Sequence, residues 1–217
     1  MEKLLITFAI ILLLNININA QSNYNAQPGV KNNQIVLQLS NISLTESASN
    51  LEVKLIKNSK YLNFNQTEKI IENINQGTET EAAFTFDVDY NIGNVEADTI
   101  EFVITDNKSV YLTKQFILQY SVPTEYKLEQ NFPNPFNPTT KIRFSIPNVT
   151  LSEVEGSRVQ LKIYDILGNE VTTLVNEQKE LGYYEVDFSA SSYVSGFYIY
   201  RLISGNFIST KKMLVLK

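Results

Sequence analysis

Apolar and polar residues alternate with a period of two along most of the chain after residue 30. Successive side chains of a β-strand point to opposite faces of the sheet, so this alternation predicts strands with one buried face. The first half contains five predicted strands: Gln34–Ser40, Leu51–Lys57, Ala83–Val88, Thr99–Thr105 and Tyr111–Tyr120. The second half contains six: Lys141–Ile146, Val159–Tyr164, Glu170–Val175, Tyr183–Phe188, Gly196–Leu202 and Phe207–Leu216. The apolar residues of Glu68–Ile74 fit a helical turn as well as a strand.

Many short strands separated by turn residues are typical of β-sandwiches. Ile35, Leu37 and Leu39 share one strand face, and so do Phe84 and Phe86. The pattern breaks at residues 121–125, where a proline ends a long strand because it cannot donate to the ladder. We predict an all-β chain with two consecutive Ig-like antiparallel β-sandwiches, residues 21–122 and 126–217, and a proline-rich linker and loop over residues 123–139.

The first twenty residues have the organisation of a cleaved signal peptide. Lys3 gives a positive start, and Leu4–Leu14 form an apolar run of 11 residues. The alternative, a membrane anchor, needs roughly 20 apolar residues. We therefore expect cleavage between Ala20 and Gln21 and a mature chain without a membrane span.

The composition excludes several kinds of active site. The chain has no His, no Cys and no Trp, so it contains no Ser-His-Asp triad and no His- or Cys-ligated zinc. Asp87 and Asp89 lie on one face of a predicted strand and its exit, but two acids without a Gly-containing loop are more typical of a solvated face than of a calcium site. We predict no cofactor and no metal.

The two halves differ in charge. Residues 21–122 carry 7 Lys+Arg and 12 Asp+Glu, a net charge of −5, whereas residues 123–217 carry 10 of each. An acidic half repels nucleic acid and anionic membranes, so no nucleic-acid partner is predicted.

The second half opens with a loop rich in proline and asparagine. Its residues are Asn131, Phe132, Pro133, Asn134, Pro135, Phe136, Asn137 and Pro138. Residues before proline favour extended backbone, so the loop is predicted to lead rigidly into the first strand, with both phenylalanines free to plug the end of the sandwich. The alternative is an ordinary proline-rich ligand or linker.

Two glycines mark predicted hairpins, and a third opens a strand. Gly168-Asn169 and Gly205-Asn206 each fit a two-residue type II′ connection, which has glycine first. Gly196 begins a strand that is apolar on nearly both faces, which indicates a covered position in the sheet. In the last strand, Lys211 and Lys212 must point to opposite faces, so at least one lies at an edge or extends its ammonium to solvent.

Four motifs in this order carry a resemblance to a known family: the proline-rich loop, Ile163–Gly168, Ser195–Leu202 and the lysine-containing end Thr210–Lys217. Together they resemble the type A C-terminal sorting domain of type IX secretion cargo in Bacteroidetes and Chlorobi. The resemblance covers about residues 126–217. Three features depart from the family pattern: Phe188 where tryptophan is common, Leu181-Gly182 for Ala-Gly, and an apparent insertion over Asn148–Gly156.

The resemblance implies a route and partners. The signal peptide would deliver the chain to the periplasm, and the outer-membrane translocon would recognise the folded C-terminal domain. A sortase-like transpeptidase would then remove that domain, here within Ser121–Glu125, and attach the cargo to surface lipopolysaccharide. The resemblance implies a secreted or cell-surface protein. The sorting-signal candidates are Gly168, Gly196, Lys211, Lys212 and Lys217. Protection of an edge strand against aggregation explains the lysines equally well.

Three functions stay open for the first half. The leading hypothesis is a non-enzymatic adhesion, spacer or structural module, similar to the extracellular Ig-like modules that often precede such sorting domains. The second is a carbohydrate-binding module or accessory domain of a secreted hydrolase. It would use acids and aromatic residues from Glu79, Glu81, Asp87, Asp89, Tyr61, Phe64, Tyr90 and Tyr111. The third is the tail of a longer enzyme, against which the signal peptide argues.

Overall fold

A computed structural model describes residues 5–12, 22–108, 110–147 and 157–217. Within these residues every regular element is a β-strand, which confirms the all-β prediction. The predicted cleavage point, Ala20 and Gln21, and the insertion Asn148–Gly156 lie outside the described residues. The chain divides into two compact units, one of residues 1–89 and 95–121, the other of residues 90–94 and 122–217.

The first unit contains two sheets. Its strands are β1 (Leu5–Leu12), β2 (Ser22–Ala26), β3 (Asn33–Asn41), β4 (Ala48–Lys57), β5 (Leu62–Phe64), β6 (Glu68–Ile74), β7 (Glu79–Val88), β8 (Ala97–Thr105) and β9 (Tyr111–Tyr120). One sheet has the order β1-β3-β7-β5, and the other has the order β2-β9-β8-β4-β6. All five strands predicted for this half are present.

The core of the first unit is aromatic and follows the predicted faces. Ile35, Leu37 and Leu39 of β3 are fully buried, as are Phe84 and Phe86 of β7. The Phe84 ring lies 4.8 Å from the ring of Phe102 in the opposite sheet. With no disulfide, apolar burial at roughly 25 cal/mol per Å² is the main favourable term that holds the two sheets together.

The structure adds three details of the first unit that the sequence left open or did not indicate. Glu68–Ile74 is a strand paired antiparallel with β4, so its helical alternative fails. The pairing is not purely antiparallel, because β1 runs parallel to β3 and β2 runs parallel to β9. The alternation did not predict β2 or β5, since strands of five and three residues are too short to display a period.

The second unit also contains two sheets. Its strands are β10 (Lys127–Leu128), β11 (Thr139–Ile146), β12 (Ser157–Tyr164), β13 (Glu170–Lys179), β14 (Gly182–Ser189), β15 (Gly196–Ser204) and β16 (Phe207–Val215). The sheet orders are β10-β11-β14 and β13-β12-β15-β16. Phe188, one of the three departures from the family pattern, is 2% exposed and lies in the core of this unit.

One predicted hairpin is right and the other is wrong. Ser204 pairs with Phe207 around Gly205-Asn206, and Gly205 has the positive φ that a type II′ turn requires at its first position. At Gly168 the connection is longer, because Asp165 N donates to Asn169 O and Gly168 N donates to Asp165 O. This is a three-residue loop with a glycine at positive φ after the turn. The Asp165 carboxylate accepts from the N–H groups of Leu167 and Asn169, and this competes with the tighter turn.

Candidate functional site

The C-terminal strand β16 is the last strand of its sheet, so one row of its backbone groups lies on the side that β15 does not pair. It pairs antiparallel with β15, and Lys212 lies opposite Ile199 while Val215 lies opposite Gly196. Met213 and Val215 point into the core and are buried, so their neighbours Lys212 and Leu214 point outward.

The proline-rich loop pairs with the C-terminal half of this edge, from Lys212 to Leu216. Lys212 O accepts from Gln130 Nε2 at 2.9 Å, and Leu214 N donates to Asn134 Oδ1 at 2.9 Å. Phe136 then bonds the strand twice through its backbone, from its N–H to Leu214 O at 3.1 Å and from Leu216 N to its carbonyl at 3.0 Å. The loop that opens the second unit therefore holds the strand that closes it.

Asn131 and Tyr200 form the buried hub of this loop. Asn131 N donates to the Tyr200 hydroxyl at 2.8 Å, and that hydroxyl donates to Glu129 O at 2.8 Å. The Asn131 amide donates to Pro133 O and Thr140 Oγ1, both at 3.0 Å. Burial raises the pKa of the Tyr200 phenol to about 12, so the group stays neutral and donates its proton throughout the physiological range.

The two loop phenylalanines have opposite fates, which corrects the prediction that both plug the sandwich. Phe136 is 2% exposed, and its ring meets the Phe188 ring edge-on at 5.9 Å. Phe132 is 80% exposed, because its backbone pairs with Lys141 and turns the ring to solvent. Only Phe136 is a plug.

The five sorting-signal candidates occupy three different places. Gly168 sits in the loop between β12 and β13, whereas Gly196 begins β15 opposite Val215. Lys211 is half-buried opposite Tyr200, and Lys212 is exposed with its ammonium 4.6 Å from the Phe197 ring centre. Lys217 is held at the C-terminus, where its ammonium donates to Ser191 O at 3.0 Å. The structure brings Gly196, Lys212 and Lys217 to one end of β15 and β16, and it places Gly168 in a separate loop.

The outer face of this sheet alternates cationic and apolar groups. Lys212 lies beside the half-exposed Phe197, and Ile208 further along β16 is 64% exposed. The Arg201 guanidinium lies 5.3 Å from the Tyr164 ring centre. Cations beside exposed aromatic and aliphatic side chains are the groups from which binding surfaces are commonly built.

Three of the four candidate acids of the first unit are hydrogen-bonded to neighbouring side chains or backbone groups. Glu79 accepts from Gln38 and Ser40, Asp87 accepts from Asn32 N, and Asp89 accepts from Asn63. Throughout the part of the chain that the structure describes, no group of three acidic side chains is placed to hold a metal ion.

The candidate aromatic residues of the carbohydrate-binding hypothesis are dispersed. The Tyr61 ring packs edge-on against Tyr120, and the Phe64 ring stacks on Phe86 inside the sandwich. Tyr111 is exposed on its own strand. Tyr90 belongs to the second unit. The rings of Tyr61 and Phe64 are therefore engaged in packing within the first unit.

Residues 130–216 match the family model described as a secretion system C-terminal sorting domain. The second unit belongs to the C-terminal sorting domains of type IX secretion. A chain with this sorting domain is a type IX secretion substrate, exported to the cell surface or secreted. The described residues contain no helix that is long and apolar enough to cross a membrane.

Similarity to solved structures is weak. Dimeric latent PorU from Porphyromonas gingivalis is 16% identical with a TM-score of 0.34, and the match covers 94% of this chain and 20% of that one. A Salmonella α-2-macroglobulin variant is 10% identical with a TM-score of 0.31, covering 90% and 14%. Sidekick-1 immunoglobulin domains 1–5 are 9% identical with a TM-score of 0.28, covering 91% and 39%. TM-scores this low carry no argument about fold or function. No curated protein matches the chain.

Proposed function

We propose that the sorting domain is read by the outer-membrane translocon of type IX secretion through the end of β16, with Lys212 and Lys217 as the main contacts. The observation that carries this proposal is the position of Lys212. It is an exposed cation on a strand that the proline-rich loop holds in place on one side and β15 holds on the other. A fixed strand loses little conformational freedom on binding, which favours recognition.

We further propose that the chain is processed at both ends. A signal peptidase would cut between Ala20 and Gln21. A sortase-like transpeptidase would break one peptide bond within residues 121–125 and form one amide bond to a surface acceptor. Two features support the second cut: residues 121–125 lie outside every strand, and Ser121, Val122, Thr124 and Glu125 are exposed.

The released first unit is proposed to act as a non-enzymatic adhesion or structural module. Three of its four candidate carboxylates, those of Glu79, Asp87 and Asp89, accept hydrogen bonds from neighbouring side chains or backbone groups, which supports this proposal. The carbohydrate-binding alternative needs a row of exposed aromatic rings, whereas the candidate rings of Tyr61 and Phe64 pack against Tyr120 and Phe86.

Reversing the charge at Lys212 and Lys217 tests the translocon contact. We expect the double variant Lys212→Glu, Lys217→Glu to fold but to reach the surface at least about tenfold less, since opposed charges at a binding surface cost several kcal/mol. Lys212→Arg should export normally, and so should Arg158→Glu, which reverses an exposed cation elsewhere in the domain. Quantitative blotting of surface and periplasmic fractions is the measurement.

This design separates recognition from edge protection. A glutamate protects an edge strand against aggregation as well as a lysine does, because either charge resists burial against another strand. Normal export of the charge-reversed variant would therefore show that the lysines only protect the edge.

A further inference from the structure

Removal of the signal peptide changes the edge of one sheet in the first unit. β3 lies between β1 and β7, and β1 consists of residues Leu5–Leu12, which are part of the segment proposed to be cleaved. Without β1, the mature unit keeps β3 as an edge strand. The inference below rests on that proposed cleavage.

The register shows which backbone groups lose their partners. Asn41 N donates to Thr78 O on the side of β7. The N–H and C=O groups of successive residues point alternately to the two sides of a strand. The odd-numbered residues of β3 therefore bond β7, and the even-numbered residues face the side that β1 leaves. The N–H and C=O groups of Gln34, Val36, Gln38 and Ser40 then form an open ladder.

This edge lacks the usual protection. β3 is nine residues long and contains no charged residue and no proline. By contrast, the edge strand β6 carries Glu68, Lys69 and Glu72, and the edge strand β5 has three residues. A long uncharged edge over a fully buried apolar face is a template for adding another strand.

We propose that the mature first unit forms a symmetric dimer in which β3 pairs antiparallel with β3 of a second copy, centred on Leu37. Only the register centred on Leu37 pairs all nine residues of both strands. It sets Val36 of one copy opposite Gln38 of the other on the face away from the core, where Val36 is 6% exposed and Gln38 is half-buried while β1 is present, and it sets Ile35 opposite Leu39 on the core face. The two cores thus become continuous.

The chemistry of the strand favours its own copy as the partner. No like charges meet in this register, because β3 contains none, and a two-fold axis lets one surface serve both sides of the interface. Glu79, the nearest acid on the outer face, is already bonded to Gln38 and Ser40 of its own copy. The structure itself seats an eight-residue strand at this edge, so the edge accepts a partner of that length.

Sedimentation of the mature chain, produced directly from Gln21 to Lys217, tests the dimer. We expect a mass twice that of one chain. Gln38→Pro removes one N–H from the open ladder, and Gln34→Lys puts a charge beside it at a position that is only half-buried; each should weaken the dimer about tenfold or more. The matched control is Ile70→Lys, which adds the same charge to an exposed position of the edge strand β6 and should leave the dimer intact.

Two results would overturn the dimer: a mature chain that stays monomeric over a wide range of concentration, or both β3 variants remaining dimeric. Circular dichroism of each variant separates loss of pairing from unfolding. Since the chain is made from residue 21, failure of signal-peptide cleavage in the host cannot mimic either result.

Discussion

Phe136→Ala should destabilise the sorting domain by about 3–5 kcal/mol, the usual cost of removing a buried phenylalanine. The Phe136 ring is 2% exposed and packs edge-on against Phe188 at 5.9 Å. The substitution leaves a cavity at the end of the sandwich where the proline-rich loop meets β16. The backbone bonds from Phe136 to Leu214 and Leu216 remain possible, so the loss is one of packing.

The same loop provides a matched control. Phe132 is also followed by proline, but it is 80% exposed, so Phe132→Ala should change stability by less than about 0.5 kcal/mol. A two-unit chain does not unfold in one step, so hydrogen exchange read on peptides from β14 to β16 is the suitable measurement. Similar losses for both variants would contradict the assignment of Phe136 as the single plug.

Tyr200→Phe should cost about 1–3 kcal/mol, because it leaves two buried backbone groups without a partner. The phenol accepts from Asn131 N and donates to Glu129 O, both at 2.8 Å. Tyr198→Phe is the control, since its hydroxyl makes one bond, to Val194 O at 3.0 Å. Hydrogen exchange of residues 129–141 measures both, and a smaller loss for Tyr200→Phe than for Tyr198→Phe would contradict the hub.

The raised pKa of Tyr200 also predicts how the stability of the sorting domain depends on pH. Its pKa is about 12 in the folded domain and near 10 in an unfolded chain, so the folded state holds the proton more tightly. The stabilisation is complete below pH 10 and is lost as pH rises towards 12. Tyr200→Phe should reduce the fall in stability over that interval.

The sequence predicted the strands better than their partners. Alternation located Ile35, Leu37 and Leu39 on one buried face because burial in a sandwich repeats every two residues. It gave no information on pairing direction, so the parallel pairs of β1 with β3 and of β2 with β9 were missed. Pairing depends on contacts between residues far apart in sequence.

The candidate site shows the same limit. The proline and asparagine residues of the loop indicated a rigid segment, and their order carried the family resemblance. Nothing in their spacing showed that Asn134 accepts from Leu214 N or that Asn131 meets Tyr200, since these partners are separated by 80 and 69 positions. The fate of Phe132 depended equally on its pairing with Lys141.

The most direct test of the account is to fractionate the native host and to determine both ends of the mature protein by mass spectrometry. The account predicts a surface form that begins at Gln21 and ends within residues 121–125, so that the sorting domain is a removable address and the first unit is the cargo. A protein that keeps Lys217 and remains in the periplasm or cytoplasm would contradict it.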